Sequence, residues 1–349
     1  VSRLDDTLAL VSIDSVSRNE ASLASIIEAR LRTNDLLDVE RIGDNVVART
    51  TGHRKTRLLV AGHLDTVPGD PSLAMIVGDR LEGLGACDMK GSLAVMLELA
   101  LRREPRSNEV TWVFYAREEI TRTESGLLEI GELRPDLLQA DAAVLGEPTG
   151  GIVEAGCQGS LRVSIELRGF RAHPARPFTG INAIHRLGAL LTRVASYEPR
   201  VVIIDGVIFT EQLQAVSVEG GVAPNVVPDL ARCTLNHRVA PDRNKEEAVA
   251  SIIHFLGECL HDEDTFSVGD WAPSSLPNLG NVHLEELVKI TNAEPRGKVG
   301  WTDVATFAEL GIPATNFGVG DPLLAHRSDE FITLSELDEY ARALELWLR

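Results

Sequence analysis

Leu58-Leu59-Val60-Ala61-Gly62-His63-Leu64-Asp65-Thr66-Val67-Pro68 is a short apolar run that delivers a histidine and an aspartate, two residues apart, to its end. Such a run, bounded by glycine, reads as a buried strand. Alternate residues of a strand share a face, so His63 and Asp65 are expected on one side. The pattern recurs: Val110 to Ala116 leads into Glu118-Glu119, and Ala142 to Gly146 into Glu147. Asp88 lies in the turn Gly85-Ala86-Cys87-Asp88-Met89-Lys90-Gly91 ahead of a helix, and His326 near the C-terminus. Two histidines and several carboxylates are the hard donors that two divalent cations require, with one carboxylate bridging and another free as a base.

Strand-like runs at 45–49, 58–61, 110–116 and 142–146 are separated by amphipathic segments at 20–31 and 91–103. Strands alternating with helices indicate an α/β unit, a central sheet flanked by helices. From Arg162 to Arg168 the pattern changes to strict alternation, the period of a half-exposed antiparallel strand. Helical spacing over 181–196 and 245–260, with strand-like segments near Val216, at 233–239 and at 266–271, predicts an inserted α+β domain. Helix and strand signals then resume at 282–291, 302–310, 312–317 and 334–348. Residues 1–158 and 274–349 are therefore assigned to one catalytic domain and 159–273 to the insertion. His326 lies beyond the insertion, so the metal donors come from both of its flanks.

Composition narrows the function classes. A chain of 349 residues exceeds one ordinary core and suggests two domains. A formal net charge of −18 argues against a nucleic-acid partner, which needs clustered Lys and Arg. No apolar stretch is long enough for a membrane span, and no basic-then-apolar leader opens the sequence, so a cytoplasmic location is expected. Cys87, Cys157, Cys233 and Cys259 never form Cys-x-x-Cys and suggest neither a disulfide framework nor a zinc ribbon. Phosphate-binding loops ending in Gly-Lys-Ser/Thr and serine nucleophile elbows are absent.

Each candidate also has a plainer reading. His63 and Asp65 could be a buried polar pair, or a ligand and the carboxylate that fixes its tautomer. Asp88 could be a helix cap, the commoner use of aspartate before a helix. Cys87 is expected in the core, because adjacent residues point apart. Two adjacent glutamates repel unless something compensates, and metal binding by one with proton transfer by the other would do so. His326 alone would pass as a surface histidine, and His173 in the insertion as a structural one. Arg238 is a candidate carboxylate clamp.

In combination these motifs resemble the aminoacylase and carboxypeptidase G-type family of di-zinc metallohydrolases, over essentially the whole chain and in order. The likeness is strongest to the actinobacterial members that hydrolyse N-succinyl-LL-2,6-diaminopimelate to succinate and LL-2,6-diaminopimelate in lysine and peptidoglycan biosynthesis. It is carried by Gly146-Glu147-Pro148-Thr149-Gly150-Gly151, Glu154-Ala155-Gly156-Cys157-Gln158-Gly159, Arg238-Val239-Ala240-Pro241-Asp242-Arg243, Gly300-Trp301-Thr302-Asp303-Val304 and Ala325-His326-Arg327. The alternative is another N-acyl-amino-acid deacylase, of the acetylornithine deacetylase kind, or a carboxypeptidase of the same family.

The resemblance implies one zinc held by His63, Asp88 and Glu147 and a second by Asp88, Glu119 and His326, with cobalt as a substitute and a cis peptide after Asp88. It implies Glu118 as general base toward a metal-bridging water, with Asp65 in support. The inserted domain is implied to dimerise, so that His173 reaches the partner subunit's site and stabilises an oxyanion. Ser160, Asn225, Arg238, Gly300 and Thr302 match substrate-contacting positions. Family members from other bacteria carry a basic residue where this chain has Cys157, and Arg117 with the polar run 121–124 is unusual for the subgroup.

Overall fold

The computed structural model describes residues 2–104 and 106–349. They form two compact units, one of Val1–Gly156, Pro277–Gly297 and Thr302–Arg349, the other of Cys157–Leu276 and Lys298–Trp301.

In the first unit an eight-stranded mixed sheet runs, edge to edge, Leu37–Ile42, Asn45–Thr50, Glu109–Tyr115, Arg57–His63, Ala142–Leu145, Ala314–Asn316, Glu154–Ala155 and Arg296–Gly297. Its centre is parallel: Arg57–His63 runs alongside both Glu109–Tyr115 and Ala142–Leu145, and Ala314–Asn316 continues in the same direction. Leu58 to Ala61, Val110, Trp112 to Ala116 and Ala142 to Leu145 are fully buried. Unbroken apolar runs are what a parallel strand covered on both faces requires. Helices Arg3–Val11, Ala21–Leu31, Gly91–Leu101 and Leu334–Trp347 pack on one another in this unit, with Gly91–Leu101 almost wholly buried. A smaller antiparallel sheet is ordered Phe331–Thr333, Arg80–Glu82 and Met75–Val77, with Arg80–Glu82 in the middle.

Parallel strands have their carboxyl ends on one edge, and open α/β sheets bind ligands there. His63 is the last residue of its strand and pairs in register with Tyr115, the last of the next. Glu118-Glu119 and Glu147 follow the ends of the flanking strands by a few residues. The sheet thus gathers side chains that lie far apart in sequence.

At the start of the Glu109–Tyr115 strand, Glu109 is buried and accepts from the Gly52 and Arg54 amides, both at 3.2 Å, and from the Thr50 hydroxyl. Burial alone would raise its carboxyl; these bonds outweigh burial and hold it down at about 2. A depressed folded-state pKa stabilises above the unfolded value, near 4.3, and that contribution is lost as pH falls toward 2. Glu109→Gln is therefore expected to cost about 1–3 kcal/mol at pH 7. Denaturant titrations of both proteins should show the gap narrowing below about pH 4. A gap that is constant from pH 7 to pH 3 would contradict this.

The second unit carries a four-stranded antiparallel sheet ordered Gln212–Gly220, Leu230–Val239, Gly159–Arg168 and Thr265–Ala272. Leu161, Val163, Ile165 and Leu167 are buried, and they form one core with Leu187, Leu190 and Val194 of helix Ala183–Ala195 and Ala248, Ile252 and Leu256 of helix Lys245–Leu256. One face is covered by these helices, which is why its strands alternate. Val216 and Val218 of the edge strand are more than half exposed. The helix expected to reach 260 stops at Leu256, because Gly257 takes φ 49° and the chain leaves through a single 3₁₀ turn. A hairpin of Val201–Ile204 and Val207–Thr210 adds to this unit. Among the described residues no helix is long and apolar enough to cross a membrane.

Candidate metal centre

His63, Asp88 and Glu119 bring one ligand atom each to within 4.8 Å of one another. Asp88 is central: its Oδ1 lies 3.1 Å from His63 Nε2, and its Oδ2 lies 3.3 Å from His326 Nε2. His326 Nε2 also meets Glu119 Oε1 at 2.9 Å, and His63 Nε2 lies 3.9 Å from Glu147 Oε1. All five residues assigned as ligands from the sequence thus belong to one continuous cluster in the first unit.

The turn that presents Asp88 is unusual in backbone. Gly85 opens it at φ 81°, a region where a β-carbon is disfavoured, and the Asp88–Met89 peptide is cis. Asp88 caps no helix, since the following helix begins at Gly91 with Lys90 as its cap. Cys87 is buried, and its thiol donates to the Asp321 carbonyl at 3.2 Å. His326 also has positive φ, 66°, in a region that is sparsely populated by residues other than glycine.

Asp65 does more, and by another route, than the strand-face reading anticipated. The strand ends at His63, so Asp65 lies past it, and its backbone carbonyl accepts from His63 Nδ1 at 3.0 Å. The carboxylate is farther from that nitrogen, at 3.7 Å. A carbonyl can only accept, so Nδ1 carries a proton; without a metal Nε2 donates to Asp88, and it is the nitrogen that would give up its proton to a cation. The Asp65 carboxylate instead accepts from both Glu118 and Glu119 amides at 3.0 Å and from the Ser17 hydroxyl at 2.7 Å. The preceding amide, Arg117, donates to buried Glu20 at 3.0 Å. Arg117 takes φ 62°, and its guanidinium reaches Glu129 at 2.6 Å. Three consecutive amides therefore anchor on two buried carboxylates, which fixes where Glu118 and Glu119 point.

Charge is crowded here. Burial opposes the imidazolium of His63, but the hydrogen bond and charge of Asp88 outweigh it and raise its pKa well above the ordinary value. Burial would raise Asp88, yet bonds from His326 and His63 hold it well below the usual carboxylate range. Hydrogen bonds to Asp88 and then Glu119 push His326 up to about 10. Burial, reinforced by the charge of Glu147, pushes Glu118 well above the ordinary range. Two imidazoles facing opposite oxygens of one carboxylate, with further carboxylates alongside, is a donor set that fits divalent cations.

The remaining assigned residues fall elsewhere. Thr302 belongs to the first unit, is buried, and donates to Asn316 Oδ1 at 2.9 Å. Ser160, His173, Asn225, Arg238 and Gly300 all belong to the second unit. Within it, Ser160 and Arg238 are cross-strand partners, and a bridge between Ala172 and Val227 sets the exposed His173 and Asn225 segments side by side. Cys157 is buried and bridges to Ser275. Sequence reasoning passed over Glu20 and Glu330, which hold the site's backbone, and Ser17, whose hydroxyl donates to the Asp65 carboxylate. Glu330 follows His326 by four residues, but nothing in its spacing marks a side chain that binds main chain.

The family model described as peptidase family M20/M25/M40 matches residues 59–349. A Mycobacterium tuberculosis protein assigned as succinyl-diaminopimelate desuccinylase is 46% identical over 345 residues, covering 98% of this chain and 96% of that one. The succinyl-diaminopimelate desuccinylase of Corynebacterium glutamicum is 42% identical over 350 residues, 98% of this chain and 95% of its own. Among solved structures, the aminopeptidase PepT of Bacillus cereus superposes with a TM-score of 0.80 at 19% identity, covering 99% of this chain and 97% of that one.

Proposed function

The chain belongs to peptidase family M20/M25/M40, and from that premise we propose that it hydrolyses N-succinyl-LL-2,6-diaminopimelate to succinate and LL-2,6-diaminopimelate. The near full-length identity of 46% and 42% to the two bacterial proteins supports the substrate. The observation that carries the chemistry is Asp88, whose two oxygens face two different histidines. His63, Asp88 and Glu147 would hold one zinc ion, and Asp88, Glu119 and His326 a second. Two such ions, when bound, acidify water and polarise the scissile amide carbonyl.

The chain's own groups supply the proton traffic and orientation. Glu118 takes the proton of the attacking water, whose oxygen bonds to the succinyl carbon. As the carbon–nitrogen bond breaks, Glu118 gives that proton to the leaving amine. Asp65 keeps Glu118 and Glu119 in their separate places by holding both amides. Arg238, beside Ser160, offers a guanidinium to a substrate carboxylate. His173 stabilises the developing oxyanion, and it does so from the partner subunit of a homodimer built through the second unit. The exposed valines of that unit's edge strand suit such a role.

Purified zinc-loaded protein should cleave N-succinyl-LL-2,6-diaminopimelate with a kcat/KM at least tenfold above that for N-acetylornithine. Preference for the acetylated substrate would overturn the assignment. Mixing inactive His173→Ala with inactive Glu118→Gln subunits should restore activity, because one composite site of each heterodimer carries no lesion. Demonstrated subunit exchange without recovery would exclude action from the partner.

A further inference from the structure

Asp88 and His326 are separated by more than two hundred residues, yet they face each other at 3.3 Å. Glu330 lies in the same segment as His326, is 1% exposed, and turns its side chain back onto the Asp88 turn. Its Oε1 accepts from the Cys87 amide at 2.6 Å and from the Asp88 amide at 2.9 Å. Its own carbonyl accepts from the Gly83 amide at 2.9 Å, and the next residue, Phe331, pairs with Glu82. On the other side of His326, the Asp321 carbonyl accepts from the Cys87 thiol at 3.2 Å. The segment carrying His326 is therefore fastened at both ends to the turn carrying Asp88.

From this geometry we propose that Glu330 is a positioning residue that sets Asp88 against His326 and so tunes the affinity of the metal centre. A carboxylate accepting the amide of the central ligand fixes that residue's backbone, while its sequence neighbourhood fixes the histidine. Losing it frees both partners at once. Groups that orient metal ligands typically account for ten- to a hundredfold of metal affinity. The inference rests on the ligand assignment proposed above.

The test titrates zinc into metal-free wild type, Glu330→Ala, Glu330→Asp, Glu330→Gln, Glu109→Ala and Asp88→Asn by calorimetry. Thermal unfolding and circular dichroism of each metal-free protein are recorded alongside. Glu109 is the matched control, a buried carboxylate that also accepts two backbone amides in the same unit. Glu330→Ala should weaken zinc binding about ten- to a hundredfold. Glu330→Asp, which keeps the charge but withdraws the acceptor by one methylene, should weaken it too and covers the case in which alanine does not fold. Glu330→Gln retains an acceptor oxygen and should recover most of the affinity. Glu109→Ala should lower thermal stability while leaving zinc affinity unchanged.

Wild-type zinc affinity in folded Glu330→Ala or Glu330→Asp would overturn the proposal. So would an equal loss of affinity in Glu109→Ala, which would trace the effect to general destabilisation. If Asp88→Asn binds zinc as wild type does, the ligand assignment fails and this inference with it. A zinc-deficient Asp88→Asn beside unaffected Glu330 variants refutes the role of Glu330 alone.

Discussion

Glu118→Gln is expected to lower kcat by about 10²- to 10⁴-fold while zinc binding stays at the wild-type level. The amide is nearly isosteric with the carboxylate but cannot accept the proton of the attacking water. Its backbone N–H still reaches Asp65, so the loop keeps its shape. Glu119→Gln should behave in the opposite sense. Glu119 faces His326 at 2.9 Å, and its substitution should weaken binding of one metal, with activity returning at higher zinc concentration. Atomic absorption after dialysis, together with kcat measured at saturating zinc, separates the two cases. Equal metal loss in both variants, without a selective defect in the first, would show that the roles are wrongly divided.

Asp88→Asn should be the most damaging ligand substitution, removing zinc binding and activity together. Among the described residues, Asp88 is the one carboxylate that meets both His63 and His326. An asparagine offers one oxygen where the cluster uses two, and its NH₂ would face a histidine nitrogen. His63→Ala, by contrast, leaves the pairing of Asp88, Glu119 and His326 intact and should retain part of the metal. Metal content of the two variants, prepared identically, checks the ranking. An Asp88→Asn protein richer in zinc than His63→Ala would contradict it.

Much of this was legible because the chemistry sits at the ends of strongly patterned elements. The runs at 58–61, 110–116 and 142–146 are apolar throughout, and parallel pairing makes their carboxyl ends adjacent. His63, Glu118, Glu119 and Glu147 could therefore be placed together from order alone. Other elements carried signals that the reading did not use. Helix Arg3–Val11 is announced by a capping box between Ser2 and Asp5. The hairpin of Val201–Ile204 and Val207–Thr210 turns on Asp205-Gly206, both at positive φ, a dipeptide that favours such turns.

What the sequence could not disclose is which carboxylates serve the backbone. One of the two sequence readings has the Asp65 carboxylate orient His63; in the structure its carbonyl meets the ring, and the carboxylate holds the glutamate loop. Glu20 and Glu330 act in the same way, each accepting amides from a turn remote in sequence. Accepting a main-chain N–H demands no particular partner residue, so it leaves no motif to read. Arg117, odd in composition, is held by its guanidinium, which donates to the Glu124 carbonyl at 2.7 Å and pairs with Glu129 at 2.6 Å, despite a left-handed backbone that disfavours a β-carbon.

The most direct test of the metal centre is anomalous diffraction at the zinc edge from crystals of the zinc-loaded protein. Two zinc sites should appear per chain, with Asp88 a ligand to both, His63 and Glu147 on one, and Glu119 and His326 on the other. A single site, or two sites of which Asp88 touches only one, would contradict the account.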